Sequence, residues 1–158
     1  MSNNLSVRDL MTSNVLSVER NQKLSTADDI MRLGRVRHVL VVDEGGVLDG
    51  VVSQRDLFHS GLLKALGFGT RGKEHALDSL LVKEAMKTEL ITTTPDASLQ
   101  SAACLMAEHK VGCLPVLEAG RVVGILTEGD FVLLAAGRKT ATGGAVPNPV
   151  STIGLDLP

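Results

Sequence analysis

Apolar positions along this chain come in short bursts, and their spacing switches between two and three-to-four in a fixed order. Residues 15–18, VLSV, and residues 90–93, LITT, alternate as short strands do. Leu24, Ala27, Ile30, Met31 and Gly34 then recur at helical spacing, and so do Leu99, Ala102, Ala103, Met106 and Lys110. That spacing puts most of each set on one helix face. Two more strands follow each helix. HVLVVD and VLDGVVS are joined by a Glu-Gly-Gly turn, and CLPVLE and RVVGILT by Ala119-Gly120, both hairpin signals. A closing helix then starts at a Ser/Thr-x-x-Asp frame, Ser53 to Asp56 in one place and Thr127 to Asp130 in the other. This frame is the pattern of a capping box, with a shorter acid in place of the usual Glu.

The order strand, helix, strand, strand, helix occurs twice because the sequence repeats. Residues 7–42 align without a gap on residues 82–117 at a shift of 75, so that Val7, Met11, Leu24, Ala27 and Met31 meet Val82, Met86, Leu99, Ala102 and Met106. One residue is lost in the hairpin loop, where a deletion costs least. Gly50, Ser53 and Asp56 therefore meet Gly124, Thr127 and Asp130 at a shift of 74. One copy is too small to bury both faces of such a sheet, whereas two copies packed together can do so. The chain divides into a first repeat (1–66), a linker loop (67–79), a second repeat (80–137) and a tail (138–158). The tail is rich in Gly, Pro, Ser and Thr and reads as mobile or docked on a partner. The first closing helix is expected to end near Leu66, and a short helix to follow Ser79. Gly67-x-Gly69-x-x-Gly72 has dinucleotide-fingerprint spacing, but it follows a helix instead of a strand and reads as linker.

Composition narrows the function classes. At 158 residues and 44% hydrophobic, the chain can build a real core. No apolar run approaches the roughly 20 residues of a membrane span, and the start, MSNNLSVRDLM, lacks the blocks of a signal peptide. A soluble cytoplasmic protein is expected. The net charge of −2 is interspersed and makes no basic stripe, and the aromatics are only Phe58, Phe68 and Phe131. Neither phosphate-backbone binding nor base stacking on nucleic acid is favoured. Cys104 and Cys113 read as two small buried thiols in a reducing compartment. The four histidines have no zinc-site spacing.

The tandem pattern, with VKEAMKTELITTTPDASLQSAACLMAEHKVGCLPVLEAGRVVGILTEGDF as its fuller copy, resembles the CBS domain, the small domain named after cystathionine β-synthase. The match covers roughly residues 5–137 and rests on elements that recur in order: the Met-containing opening helix, TTTPDASL, LPV and GILTEGD. The resemblance implies an α+β fold of two CBS units (β-α-β-β-α each), with small sheets face to face, helices outside and a pseudo-two-fold axis. It also implies two clefts between the repeats that take AMP, ADP, ATP or S-adenosylmethionine, with no resident cofactor or metal. Carried over, Asp56 and Asp130 are ribose-binding residues, Ser53 and Thr127 polar anchors, and Val51 and Ile125 base-pocket residues. One cleft adds Arg37 and His38 for phosphate, closed by Thr88 and Leu90. The other has Gly112 and Cys113 in their places, with Asn14 and Val15 as its wall, so the first is expected to be the better phosphate site. Physical chemistry agrees with this carry-over, because one carboxylate can accept both vicinal hydroxyls and a helix N-terminus suits an anion.

The resulting reading is a regulatory module that senses adenine nucleotides, works as a homodimer and signals to a protein effector in trans, with no nucleic acid or membrane partner. The alternative is a structural dimerisation unit with vestigial clefts. An enzyme is disfavoured, because the sequence offers no nucleophile–base–orienter set.

Overall fold

A computed structural model describes residues 4–65 and 72–137 of the chain. In chain order the elements are α1 (Val7–Leu10), β1 (Ser17–Val18), α2 (Leu24–Gly34), β2 (His38–Val42), β3 (Leu48–Ser53), α3 (Gln54–Ala65), α4 (Gly72–Ser79), α5 (Val82–Ala85), α6 (Leu99–His109), β4 (Cys113–Glu118), β5 (Arg121–Thr127) and α7 (Glu128–Ala135). The chain is α+β, with both repeats present.

The described residues form two compact units, and these cut across the repeat boundaries. One unit contains residues 16–65 and 72–90, the other residues 4–15 and 91–137. Each therefore joins the hairpin of one repeat to the opening helix of the other. In the first unit, α5 is tied in by Val82 N donating to Gln22 O (2.8 Å) and Lys83 N to Arg20 O (2.9 Å). In the second, α1 is tied in by Val7 N donating to Ala97 O (2.8 Å) and Arg8 N to Pro95 O (2.9 Å).

The first unit carries a three-stranded sheet, with β1 parallel to β2 and β2 antiparallel to β3. Its core holds Leu24, Ala27, Ile30 and Met31 of α2 against Val39, Val41 and Val52 of the sheet, with Leu77, Leu80 and Val82. The second unit carries the antiparallel pair β4–β5. Its core holds Val7, Leu10 and Met11 with Leu99, Ala102 and Met106 of α6 and Leu114, Val116 and Leu126 of the hairpin. The helix faces read from the spacing are the buried faces, except that Lys110 is exposed. Lys110 and its counterpart Arg35 end their helices in the left-handed region, each at φ 53°, and return an N–H to Met106 O and Met31 O.

Several expectations change. Residues 90–93 do not form a strand; Thr93 makes a single parallel bridge to Val116. The cause lies in the partner strand. In the first unit Leu40 N donates to Leu16 O (3.2 Å), whereas Pro115, at the matching place, has no N–H to give. The stretch expected as linker loop contains helix α4, which buries Ala76 and Leu77. Apolar positions 76, 77 and 80 form a helical stripe that the nearby glycines had outweighed. Leu66, Gly67, Gly69 and the tail lie outside the described residues. Cys113 is buried as expected, but Cys104 is exposed on α6, because it falls outside the Leu99–Ala102–Met106 stripe. No helix among the described residues is long and apolar enough to cross a membrane.

Candidate functional site

Strand β3 leads directly into α3, and the junction sets the site. Ser53 Oγ accepts from Asp56 N at 3.0 Å, while Asp56 Oδ2 accepts from Ser53 N at 2.9 Å. The box read from the sequence is therefore made in both directions, and it engages one carboxylate oxygen. The other, Oδ1, lies 3.7 Å from Lys87 Nζ, with the Asp56 side chain only 14% exposed and Lys87 69% exposed. Lys87 arrives from the segment after α5. Its backbone pairs with Val51 in both directions, Val51 N to Lys87 O at 3.0 Å and Lys87 N to Val51 O at 2.9 Å. Gly50 permits this approach, since a Cβ there would stand 2.8 Å from Lys87 O and 2.9 Å from Met86 Sδ.

Of the other residues expected here, Arg37, His38 and Val51 lie at the same end of the sheet. His38 is half-buried and faces Ser53 in the β2–β3 register, and Val51 faces Leu40. The carbonyl of Arg37 accepts from Gln54 N at 2.8 Å, while its side chain is exposed. Thr88, exposed, follows Lys87, and Leu90 is half-buried. Among the described residues, the cation paired with Asp56 is Lys87, which the sequence reading did not single out. Sequence reading missed it because 31 residues separate it from Asp56. The signal was the repeat alignment, in which Lys87 meets Thr12.

The second unit builds the same junction with different chemistry. Asp130 Oδ2 accepts from Thr127 N at 2.8 Å and from Thr127 Oγ1 at 3.2 Å. Thr12 pairs with Ile125 in both directions at 2.9 Å, as Lys87 does with Val51, but it brings no charge. Gly124 again gives room, here to Met11 and Thr12. Cys113, buried, faces Thr127 where His38 faces Ser53, and the Gly112 carbonyl accepts from Glu128 N at 3.0 Å. Asn14 is exposed and Val15 half-buried, both just beyond the Thr12 bridge. Burial pushes the Asp130 carboxyl above its ordinary value, against the lowering effect of the two Thr127 bonds.

Each junction can offer a carboxylate, a hydroxyl and the positive end of a helix dipole to a polar ligand beside an apolar strand. Among the described residues, no group of three His, Cys, Asp or Glu side chains is placed to hold a metal ion.

Comparison with known proteins gives this arrangement a family. The model of the CBS domain matches residues 7–62 and again residues 82–137. The chain is similar to the CBS domain-containing protein YhcV of Bacillus subtilis, 34% identical over 143 residues that cover 90% of this chain and 94% of YhcV. Among solved structures it is similar to CBSX2 in complex with AMP, at 31% identity and a TM-score of 0.67, covering 84% of this chain and 96% of that one. It is also similar to the CBS domain pair of MJ0100 in complex with 5′-methylthioadenosine and S-adenosyl-L-methionine, at 26% identity and a TM-score of 0.68, covering 84% and 97%. The two family matches coincide with the two repeats and with the two capped junctions, and the chain belongs to the CBS domain family as a tandem pair.

Proposed function

We propose that this chain is a non-catalytic regulatory sensor of adenosine-containing ligands, AMP, ADP, ATP or S-adenosylmethionine, and that Asp56 receives the ribose. The observation that carries the reading is the division of labour at Asp56. Its Oδ2 is engaged by the Ser53 amide, which fixes the side chain, and its Oδ1, 3.7 Å from the exposed Lys87 ammonium, is the oxygen that would accept from a ribose diol. In this reading Ser53, Val51, His38, Thr88 and Leu90 serve as anchor, base wall and rim, with Arg37 at the edge. Thr127, Asp130, Ile125, Asn14 and Val15 make the corresponding site of the second unit. The AMP complex of CBSX2 and the sulfonium complex of MJ0100 support this ligand class. A ligand that binds one arrangement better than another shifts the population, and a cytoplasmic effector in trans reads that shift.

Calorimetry and thermal shift with the four ligands test the reading, with Asp56→Asn as the variant. Asn keeps an oxygen for the Ser53 amide but removes the charge that hydroxyls favour. A hydrogen bond to a charged group contributes about 1.5–3 kcal/mol, so affinity should fall roughly 10- to 150-fold. Absence of binding by every ligand refutes the proposal.

The second reading, a dimerisation unit, is favoured by exposed apolar side chains: Phe58 at 63% and Leu62 at 48% on α3, and Val132 at 66% on α7. Sedimentation with and without ligand separates the two. A homodimer indifferent to nucleotide supports the structural role.

A further inference from the structure

We infer that Lys87 is a specificity-determining residue that makes the Asp56 site accept a phosphorylated adenosine, and that the Asp130 site, with Thr12 in its place, discriminates against one. The inference rests on the adenosine-sensor reading and adds to it a rule of charge.

The two junctions share their backbone architecture, so their difference lies in side chains. The Lys87–Val51 and Thr12–Ile125 bridges are both closed by two hydrogen bonds. The side chain at this place is therefore delivered to the helix N-terminus from a fixed point. In the first unit that side chain sets an ammonium 3.7 Å from Asp56 Oδ1. Carboxylate and ammonium together sum to zero charge, and an incoming phosphate meets no net repulsion. In the second unit the side chain at the equivalent place, that of Thr12, brings no charge to Asp130. That site penalises a phosphate and suits a neutral or cationic ligand such as a sulfonium.

Lys87 is well suited to the role because its side chain is exposed. It is 69% exposed, so moving from Asp56 towards a phosphate costs little once ribose hydroxyls take over Oδ1. Such a phosphate also lies near the positive end of the α3 dipole.

The test is calorimetry of the full chain with AMP and with adenosine, comparing wild type, Lys87→Thr, Lys87→Arg and Thr12→Lys. Lys87 contributes to the fold through its backbone, so the Thr variant should keep the wild-type circular dichroism and melting temperature. Wild type should prefer AMP over adenosine roughly tenfold, the order expected for a phosphate near one partly exposed cation. Lys87→Thr should lose most of that ratio by weakening AMP while adenosine stays within about twofold, and Lys87→Arg should retain it. Thr12→Lys should raise AMP affinity at the second site, read in an Asp56→Asn background. An unchanged AMP-to-adenosine ratio in Lys87→Thr overturns the inference and leaves the sensor reading standing. Absence of binding by both ligands in wild type overturns both.

Discussion

Replacing Gly50 with alanine probes the close approach on which the Asp56 site is built. The added Cβ would stand 2.8 Å from Lys87 O, 2.9 Å from Met86 Sδ and 3.2 Å from Met86 Cγ. The methionine can turn aside, because its side chain is flexible. The carbonyl cannot, since Lys87 O is held by Val51 N at 3.0 Å and Lys87 N holds Val51 O at 2.9 Å. Relief requires the Lys87 segment to lift and strain one or both of those bonds. Overpacking typically costs about 1–3 kcal/mol, and each weakened hydrogen bond about 0.5–1.5 kcal/mol. Alanine recovers roughly 0.4–1 kcal/mol by restricting the unfolded chain. The net expectation is a loss of about 2 kcal/mol, or roughly 4–8 °C in Tm for a chain of this size. Gly124→Ala is the internal comparison. Its closest neighbour is the movable Met11 Sδ, at 2.6 Å, while the backbone oxygen of Thr12 is further off at 3.1 Å. It should therefore cost less than Gly50→Ala. Urea denaturation of both variants decides the matter. A Gly50→Ala protein within 0.5 kcal/mol of wild type, or a Gly124→Ala protein that is the more damaged, refutes the reasoning.

Two further outcomes follow from local chemistry. The Asp130 carboxyl is raised by burial, so the folded state binds its proton more tightly than the unfolded state does. Its stabilising contribution is therefore full below the ordinary value of 3.8 and is lost as pH rises through the raised folded value. Asp130→Asn should then be more stable relative to wild type at neutral pH than below pH 3.8, and denaturation curves showing the opposite trend contradict this. Pro115→Leu supplies the amide that Leu40 has in the first unit. The new N–H at position 115 should be protected in hydrogen exchange, with global stability changed by only about 1 kcal/mol, since the bond gained and the proline rigidity lost are of similar size. Exchange of that amide at the unfolded rate means that no second strand bond forms.

The parts legible in the sequence are those fixed by local spacing. Leu24, Ala27, Ile30 and Met31 announce a buried helix face, the two hairpins announce themselves by turn chemistry, and the boxes at Ser53 and Thr127 close as their spacing requires. The illegible parts depend on which distant segment arrives. Nothing near Asp56 in sequence points to Lys87, and nothing in a repeat alignment says that α1 joins the hairpin of the other copy. The missing strand at 90–93 was readable in principle, since proline at 115 removes a ladder donor, yet its effect falls on a partner 24 residues earlier. Residue type alone favours burial of Cys104, but its place outside the helix stripe leaves it exposed.

The exchanged opening helices also impose an order on biosynthesis. The unit built from residues 16–65 and 72–90 is nearly continuous in sequence and has all its parts once residue 90 has left the ribosome. The other unit needs Val7, Leu10 and Met11 to meet Leu114 and Leu126, which are made more than a hundred residues later. At roughly 5–20 residues per second, those three apolar side chains wait about five seconds or more for their partners. That segment is thus translated long before it can be buried, and until then it is an apolar strip open to chaperones or to another nascent copy.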